Sequence, residues 1–380
     1  MPSLLVVTTI PETIQAFLLP YVSYLRQQGW RVDGMSAGIS DNSACTTAFD
    51  RVWDVEWSRN PLNLRNFTMA LPRISATVEQ EHYDLVHVHT PVAAFLTRLS
   101  LRGLRRKQGL GVIYTAHGFH FHAGGGVLQN WAYLALEKLA GQWTDRLVVI
   151  NREDEAAALR HRLVPPDKVV YMPGIGIDLD YYAPERVSID AVTHFRSGLG
   201  LDASASLFLA IAELTPRKRP QDILQAFAQL AHPSAHLAFA GGGPLLPQLV
   251  TLAKDLQIEN RVHFLGFRSD IPVLIRAATA IILVSRQEGL PRSVMESLAL
   301  EVPVIGSNIR GTRDLLQEGG GWLIAVGNVE DIAQRMAWIL AHPQETQAEG
   351  RKGRQQMKTY DLQHLLALHQ SLYLESIKPS

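Results

Sequence analysis

Two glutamates separated by seven residues stand in the segment EGLPRSVMESLA at 288–299. The apolar run AIILVS before it predicts a buried parallel strand, and the residues from Pro291 onward have the apolar spacing of a helix. Glu288 is therefore expected at the carboxyl end of a strand, where open parallel sheets bind their ligands. Glu296 is expected on the following helix, as an exposed side chain.

The start of that helix predicts a site for an anion at 289–293, because free backbone N–H groups and the positive end of the helix dipole meet there. The candidates in this turn are Gly289, Leu290, Pro291 and Ser293. Glu296 follows at roughly 7 to 8 Å along the axis, at about 1.5 Å per residue. This offset is close to that between a diphosphate and its ribose, and a carboxylate accepts hydrogen bonds from both hydroxyls of a diol. Considered alone, either glutamate is explained at least as well as an ordinary surface residue as by ligand binding.

Two further segments favour a phosphate ligand. Arg217, Lys218 and Arg219 follow another predicted strand, and three cations there suit a diphosphate, although an ordinary basic loop has the same composition. The turn AGGGPLLPQL at 240–249 permits a close backbone approach, with Gly241 and Gly243 as candidates. It does not match the spaced dinucleotide fingerprint, so no NAD site is predicted.

The elements that position these residues form two series. Short apolar runs alternate with helical patterns, which predicts parallel sheets with crossover helices and the α/β class. The predicted strands are LLVVTT, DLVHVHT, GVIYTAHG, RLVVIN and KVVYMPG, then LFLAIAEL, HLAFAGGGP, VHFLGF, AIILVS, PVIGSN and GWLIAV. Two Rossmann-like domains facing across a cleft are expected, at 1–185 and 186–360. The helical pattern at 361–380 is expected to pack back on the first domain.

Composition restricts the class of protein. The chain has 380 residues, of which 47% are hydrophobic and 19% charged, as in globular proteins of two domains. Lys plus Arg equals Asp plus Glu at 36 each, which argues against nucleic acid as a partner. One cysteine, Cys45, fits a reducing compartment, and we expect a cytoplasmic protein. The apolar N-terminus reads as a strand rather than a signal peptide, and no run reaches the length of a transmembrane helix.

Taken together, the motifs resemble the retaining glycosyltransferases of family 4, of the type that assembles bacterial capsule, exopolysaccharide and O-antigen. The resemblance extends from about residue 3 to about residue 340. It rests on DLVHVHTPVAAF, IYTAHGFHFHAGGG, DRLVVINREDE, MPGIGIDLDYY, AELTPRKRP, AGGGPLL, VHFLGFRSDI and EGLPRSVMESLALEVPVIGSNIRGTRDLL. It implies the GT-B fold and transfer of a hexosyl or N-acetylhexosaminyl group from a nucleotide sugar, UDP-linked by expectation, to a glycan or lipid-linked acceptor.

The resemblance also implies roles for individual residues. Glu296 matches the residue that binds the ribose, Glu288 the one that faces the transferred sugar, and Lys218 the phosphate-binding lysine. His117 matches a histidine that reaches the donor sugar from the first domain. Phe267 ends FLGF, which matches the loop that holds the nucleobase. No enzymic nucleophile is implied, because the donor phosphate is expected to help take the acceptor's proton.

Two departures from the family pattern stand out. Glu213 occupies the place where a phosphate-binding arginine is common, and Arg217 or Arg219 is the expected substitute. The first strand is followed by TTIPETIQAF rather than the usual glycine pair. The donor sugar, the acceptor, the linkage and the oligomeric state do not follow from the sequence.

Histidines and cations complete the candidates. His87 and His89 share one face of a strand, but a lone pair is more often structural than metal-binding, and we predict a site without metal or cofactor. The basic segment RLSLRGLRRK at 98–107 has a helical pattern of leucines and could meet anionic lipid at the inner face of a membrane, or be a solvated helix face. Its cations are Arg98, Arg102, Arg105, Arg106 and Lys107. Two alternatives to a transferase stay open, a nucleotide-sugar epimerase and a silent sugar-nucleotide-binding subunit.

Overall fold

The structure is a computed structural model that describes residues 1–57, 63–121, 124–202 and 204–378. Its internal contacts divide the chain into unit 1, Met1–Ile175 with Gln363–Ser380, and unit 2, Gly176–Leu362. The boundary expected at residue 185 therefore lies inside unit 2, which begins at Gly176. Ile177 and Tyr182, which precede the expected boundary, are buried in the core of that unit.

Unit 1 is built on a seven-stranded sheet in which every paired strand of the described residues is parallel, in the order β3-β2-β1-β4-β5-β6-β7. The strands are β1 (Ser3–Val7), β2 (Arg31–Ser36), β3 (Val52–Asp54), β4 (Leu85–His89), β5 (Gly111–Ala116), β6 (Arg146–Val149) and β7 (Val169–Tyr171). Helices cover both faces: α1 (Pro11–Phe17), α2 (Leu19–Gln27), α3 (Ser43–Ala48), α4 (Leu71–Glu81), α5 (Pro91–Leu101), α6 (Leu104–Lys107), α7 (Val127–Gly141) and α8 (Arg152–His161). Strands such as LVHVH are buried along their whole length, as a doubly covered parallel sheet requires.

Unit 2 repeats this plan with a six-stranded parallel sheet, in the order β10-β9-β8-β11-β12-β13. The strands are β8 (Ser206–Ile211), β9 (Ala235–Ala240), β10 (Val262–Gly266), β11 (Ala280–Leu283), β12 (Val304–Ser307) and β13 (Gly321–Ile324). The helices are α9 (Ile189–Gly198), α10 (Pro220–Ala228), α11 (Leu246–Asp255), α12 (Ile271–Ala277), α13 (Arg292–Ala299), α14 (Thr312–Leu316), α15 (Val329–Ala341) and α16 (Pro343–Met357). The last helix, α17 (Leu362–Ser376), belongs almost entirely to unit 1.

The strand order reverses once in each sheet, between β1 and β4 in unit 1 and between β8 and β11 in unit 2. At such a switch point the neighbouring loops leave the sheet in opposite directions and open a crevice, which is where α/β proteins bind ligands. The predicted α/β class and all eleven predicted strands are confirmed. Two strands of unit 1, β2 and β3, were not predicted.

The sequence hides β2 because Asp33 and Gly34 interrupt its apolar character. In the fold Asp33 is fully buried, and its Oδ2 accepts hydrogen bonds from Arg31 Nη2 at 2.6 Å and from the Tyr83 hydroxyl at 2.6 Å. These charge-assisted bonds offset the cost of burying a carboxylate. Among the described residues, no helix combines the length and apolar character needed to cross a membrane.

Candidate active site

The loops that follow β8 and β11 bring Lys218 and Glu288 together at the switch point of unit 2. Lys218 Nζ lies 2.6 Å from Glu288 Oε1, and Arg217 Nη1 lies 3.5 Å from Oε2 of the same carboxylate. Arg217 Nη1 also donates to the carbonyl oxygen of Gln287 at 2.8 Å. Glu288 is only 8% exposed, so the two cations balance a nearly buried negative charge. The result is a positively charged edge with a carboxylate at its centre.

Arg219 has a different environment from its two neighbours. Its φ of 53° turns the chain into α10, and its Nε donates to Asp222 Oδ2 at 2.5 Å one turn into that helix. Arg217 keeps 45% of its side chain exposed beside Glu288, whereas Arg219 keeps 19%. Glu213, at the position of the missing arginine, is exposed. Arg217 is therefore better placed than Arg219 to offer a guanidinium at this edge.

The turn at 289–293 leads from Glu288 into α13, which begins at Arg292 with Pro291 as its N-cap, one residue later than predicted. Gly289, Leu290 and Ser293 are partly accessible, and the first amides of the helix point out of its N-terminus. Arg310, which was not predicted as a site residue, is 4% exposed and its Nε donates to the Glu288 carbonyl oxygen at 3.1 Å. Arg310 lies in the segment SNIRGTRDLL, but the local sequence pattern does not indicate that this arginine holds the turn after Glu288.

The expectation that Glu296 is an exposed side chain is wrong, since the residue is only 7% exposed. Its Oε1 accepts hydrogen bonds from the Tyr182 hydroxyl at 2.6 Å and from Arg292 Nε at 2.9 Å. Burial raises the pKa of Glu296, while the Arg292 charge and the Tyr182 hydroxyl act in the opposite direction. The carboxylate is thus held in one orientation by Arg292 on its own helix and by Tyr182, which lies before the domain boundary expected at residue 185.

Gly241 and Gly243 make a close backbone approach to the protein itself. Their φ values are 146° and 158°, and a Cβ at either position would overlap the backbone of Ala212 or Leu214. The two glycines therefore let the turn after β9 pack against the loop after β8. They set the path of the loop that carries Lys218, which is a supporting role.

Phe267 directly follows β10 and is 91% exposed. The loop is fixed before it, because Gly241 N donates to the carbonyl oxygen of Gly266 at 2.7 Å. An aromatic ring exposed to this extent has little contact with its own unit and offers a face on which a flat ring can stack. Phe267 accordingly stands at the carboxyl edge of the sheet, the edge that also carries Lys218 and Glu288.

His117 lies in unit 1, immediately after β5, and is half-buried next to a row of buried histidines. Its Nε2 is 3.0 Å from His89 Nδ1, and the two rings stack with centroids 5.2 Å apart. The His89 ring in turn lies beside that of His87, with centroids 4.0 Å apart and the planes tilted by 39°. One proton is shared across the His117–His89 contact, so the tautomer of one ring fixes that of the other. Through this contact His89 orients His117.

The far end of this chain is closed by α17. His87 Nδ1 lies 2.6 Å from the Tyr373 hydroxyl and His87 Nε2 lies 2.7 Å from Thr115 Oγ1. His369 packs beside both, with its ring 6.3 Å from that of His87. Burial, together with the neighbouring His369, lowers the pKa of His117 to about 4, and burial lowers the pKa of His369 to about 4. His117 is therefore neutral near pH 7 and can donate or accept a hydrogen bond.

The basic segment at 98–107 is not one helix face. Helix α5 ends at Leu101 and α6 begins at Leu104. Arg98 is 2% exposed, lies over the Tyr114 ring at 4.0 Å, and pairs with Glu137 at 3.0 Å, so it cannot meet a membrane. Arg105 Nε donates to Asp145 Oδ2 at 2.7 Å. The exposed cations of the segment are Arg102, Arg106 and Lys107.

No group of three or more His, Cys, Asp or Glu side chains in the described ranges is arranged to hold a metal ion. His122, part of the histidine-rich segment after β5, lies outside those ranges. The described side chains offer the positive charges of Arg217 and Lys218, the oriented carboxylates of Glu288 and Glu296, and the amides at the start of α13. That combination can bind a diphosphate and a polyol.

Comparison with known proteins identifies the class. Residues 17–181 match the family described as Glycosyltransferase Family 4, and residues 193–356 match the family described as Glycosyl transferases group 1. A Bacillus subtilis (strain 168) protein named glycosyltransferase EpsD is 33% identical over 353 residues, which cover 91% of this chain and 89% of that protein. The chain belongs to glycosyltransferase family 4 and is a glycosyltransferase.

A second relative is the Escherichia coli UDP-Gal:alpha-D-GlcNAc-diphosphoundecaprenol alpha-1,3-galactosyltransferase, 29% identical over 269 residues that cover 69% of this chain and 67% of the relative. Among solved structures, Anabaena HepE in complex with UDP superimposes with a TM-score of 0.81 at 18% identity, over 99% of this chain and 100% of that one. A glycosyltransferase from Rickettsia africae ESF-5 gives a TM-score of 0.82, also at 18% identity, over 100% and 99%. The predicted GT-B fold is confirmed.

Proposed function

We propose that this glycosyltransferase moves a hexosyl or N-acetylhexosaminyl group from a UDP-sugar to a lipid-linked glycan in cell-surface polysaccharide synthesis, with retention at the anomeric carbon. The observation that carries the donor half of the proposal is the Lys218–Glu288 ion pair at the switch point of unit 2. Positive charge, helix amides and a carboxylate meet there, as a nucleotide sugar requires.

Each residue has one task. Lys218 and Arg217, with the amides at the start of α13, bind the diphosphate and neutralise its charge as it departs. Glu288 accepts hydrogen bonds from hydroxyls of the transferred sugar. Glu296, already oriented by Tyr182 and Arg292, accepts both ribose hydroxyls, and Phe267 stacks on the nucleobase.

The chemical step then needs no enzymic nucleophile. The bond between the anomeric carbon and the diphosphate oxygen breaks, and the acceptor hydroxyl oxygen attacks the same face of that carbon. The hydroxyl proton passes to the departing phosphate oxygen, which is well placed to accept it because Lys218 and Arg217 hold it beside the reacting face. We propose that these cations take the place of a divalent metal.

Support for the substrates comes from the relatives. The Escherichia coli relative is named for UDP-Gal and for a diphosphoundecaprenol-linked acceptor, and HepE was solved with UDP. A lipid-linked acceptor places the work at a membrane surface. The exposed Arg102, Arg106 and Lys107 favour the inner, anionic face of a bacterial membrane as that place.

A donor panel tests the proposal. The protein is incubated with UDP-glucose, UDP-galactose and their N-acetylated forms, with and without bacterial lipid extract, and released UDP is measured together with the sugar product. We expect UDP release from one donor only when lipid is present, and product with the donor's anomeric configuration. A changed free sugar nucleotide without lipid would instead identify an epimerase. Binding of UDP with no turnover under any condition would identify a silent subunit.

A further inference from the structure

Unit 1 contains a cavity of about 720 Å³ whose lining residues have no part in the proposed donor site. It begins at Thr9 and Thr90, which follow β1 and β4 at the switch point of the sheet and whose hydroxyl oxygens are 2.7 Å apart. It continues along the first turns of α5, where Phe95 and Leu96 line it, and along α7, where Tyr133 and Leu136 line it. A polar end at the two threonines thus adjoins apolar walls, and the volume is in the range of small-molecule sites.

The surface around this cavity is unusually apolar. Of the seventeen large hydrophobic side chains exposed in the described residues, eight lie at 64–69 and 127–139, next to or on the cavity walls. Val127, Leu128 and Trp131 on α7 are 88%, 82% and 69% exposed. Contiguous exposed apolar groups of this kind mark a surface that meets lipid or a partner.

Charge selects between those occupants. The segments 63–73, 98–107 and 127–141 contain a single acidic residue, Glu137, and both of its oxygens are occupied, by Arg98 Nη2 at 3.0 Å and by the Tyr114 hydroxyl at 2.9 Å. Exposed cations on the same segments lack an ion-pair partner in the described chain. They are Arg65, Arg73, Arg102, Arg106, Lys107 and Lys138. None of these cations lines the cavity itself. An apolar cavity on segments whose exposed charges are positive matches an amphiphile with an anionic head.

We infer that this cavity binds the hydrocarbon chain of a phosphate-headed lipid acceptor. The inference deepens the proposed function. Binding of the lipid does not depend on that function, but the lipid's role as the acceptor rests on it. The cavity walls come from α5 and α7. The bound hydrocarbon chain therefore lies in unit 1, at the same sheet edge that carries His117. Binding energy from an unreacting chain can then position the acceptor hydroxyl.

Chain length provides the test. Ethyl, octyl and dodecyl phosphate, each below its critical micelle concentration, are titrated into the full-length protein by calorimetry. Each methylene that enters the cavity contributes about 0.8 kcal/mol, which is roughly a fourfold gain in affinity. We expect affinity to rise steeply along the series until the cavity is filled. Equal affinity for all three phosphates overturns the inference.

Matched variants locate the binding site. Ala132 lines the cavity and Ala135, three residues further along α7, does not, although both are exposed. Ala132→Phe is expected to lower the affinity for dodecyl phosphate at least tenfold and to flatten the chain-length series, whereas Ala135→Phe leaves it unchanged. Identical behaviour of the two variants contradicts the inference.

A second pair keeps the test independent of how one phenylalanine packs. Leu136 lines the cavity at 40% exposure, and Leu139 is 44% exposed without lining it. Leu136→Gln should weaken dodecyl phosphate binding more than Leu139→Gln. Equal losses of sedimentation with anionic vesicles in both, with no chain-length effect, would show a face that docks on the bilayer and holds no chain.

The same preparations separate this inference from the proposed function. UDP binding to unit 2 is measured in every variant, together with sugar transfer in lipid extract. A chain-length series that persists in a protein that transfers no sugar removes the proposed function and leaves a lipid site. Normal transfer with a flat series removes the lipid cavity and leaves the transferase.

Discussion

Lys218 Nζ and Glu288 Oε1 lie 2.6 Å apart although 70 residues separate them in the chain. The two side chains leave the sheet from the loops that follow β8 and β11, the neighbouring strands between which the strand order reverses. Under the proposed function, Lys218 has two partners over a catalytic cycle, the nearly buried Glu288 carboxylate and the donor diphosphate. Because Lys218 exchanges one partner for the other, the effect of its charge on binding and on turnover can be tested by substitution.

Lys218→Ala is expected to lower kcat more than it raises the Kd of the UDP-sugar, because the lysine's charge acts most strongly on the departing diphosphate. Lys218→Arg should recover part of the loss. Steady-state kinetics and calorimetry with the same donor measure the two effects. A rise in Kd with unchanged turnover at saturation would show that Lys218 contributes only ground-state binding.

The control for this prediction removes the partner charge as well. In Lys218→Ala alone, the one ion-pair partner left to Glu288 among the described residues is Arg217 at 3.5 Å, so part of any loss reflects a poorly compensated buried carboxylate. The double variant Lys218→Ala/Glu288→Gln is expected to regain thermal stability without regaining activity. Recovery of activity in the double variant would mean that the lysine acts only to neutralise Glu288.

Glu296→Gln is expected to weaken UDP binding on the order of ten- to a hundredfold, since hydrogen bonds to a charged group contribute about 1.5 to 3 kcal/mol. Tyr182→Phe is the matched control. It removes the hydrogen bond that orients Glu296 while leaving the carboxylate and Arg292 in place. Calorimetry with UDP and with 2′-deoxy-UDP, which lacks one of the two ribose hydroxyls, separates the ribose contribution. Unchanged UDP affinity in folded Glu296→Gln excludes the ribose role.

The buried histidines predict a pH-dependent stability. The pKa of His117 and that of His369 are lowered to about 4 by burial, from an ordinary value of 6.5. Between these values the unfolded chain binds more protons than the folded one, so the free energy of unfolding falls as pH drops from 6.5 to 4 and levels off below. Each such group accounts for a loss on the order of 3 kcal/mol.

Chemical denaturation between pH 7.5 and 4 measures this slope. His369→Gln should flatten it, and His364→Gln, on the exposed face of the same helix α17, should leave it as in the wild type. The slope is the quantity compared, because a lost packing contact alone changes stability equally at all pH values. A slope that is the same in both variants contradicts the role of the buried cluster.

The exposed part of the basic segment predicts membrane affinity. Replacing Arg102, Arg106 and Lys107 by Gln should reduce cosedimentation with anionic vesicles on the order of a hundredfold at low salt, at about 1 kcal/mol for each cation. Raised salt should produce the same loss in the wild type. The control replaces Lys254, Arg351 and Lys358, which are exposed on unit 2, and so changes net charge equally. Equal losses in both triple variants would show a non-specific effect of net charge.

Local pattern carried much of the architecture. The apolar runs of the parallel strands, the residues at their carboxyl ends and the helix after Glu288 are all set by near neighbours in the chain, because burial on both faces requires continuous apolar strands. Arg217, Lys218, Glu288 and Glu296 follow directly from that pattern, and the structure brings Arg217 and Lys218 against Glu288.

Tertiary structure decided what local pattern does not record. Arg98 reads as one cation among five, yet Tyr114 and Glu137 bury it, while Arg102 stays exposed. Glu296 reads as a surface residue on a helix, and Tyr182, from 114 residues away, closes over it.

The histidine cluster shows the reason most clearly. His87, His117 and His369 lie in three segments, and only the packing of α17 on the sheet of unit 1 places them side by side. Hydrophobic periodicity states that a helix has an apolar face, and the sequence therefore determined that α17 must pack. Which surface receives it depends on the shape and charge of side chains hundreds of residues away, and those relations exist only once the chain has folded.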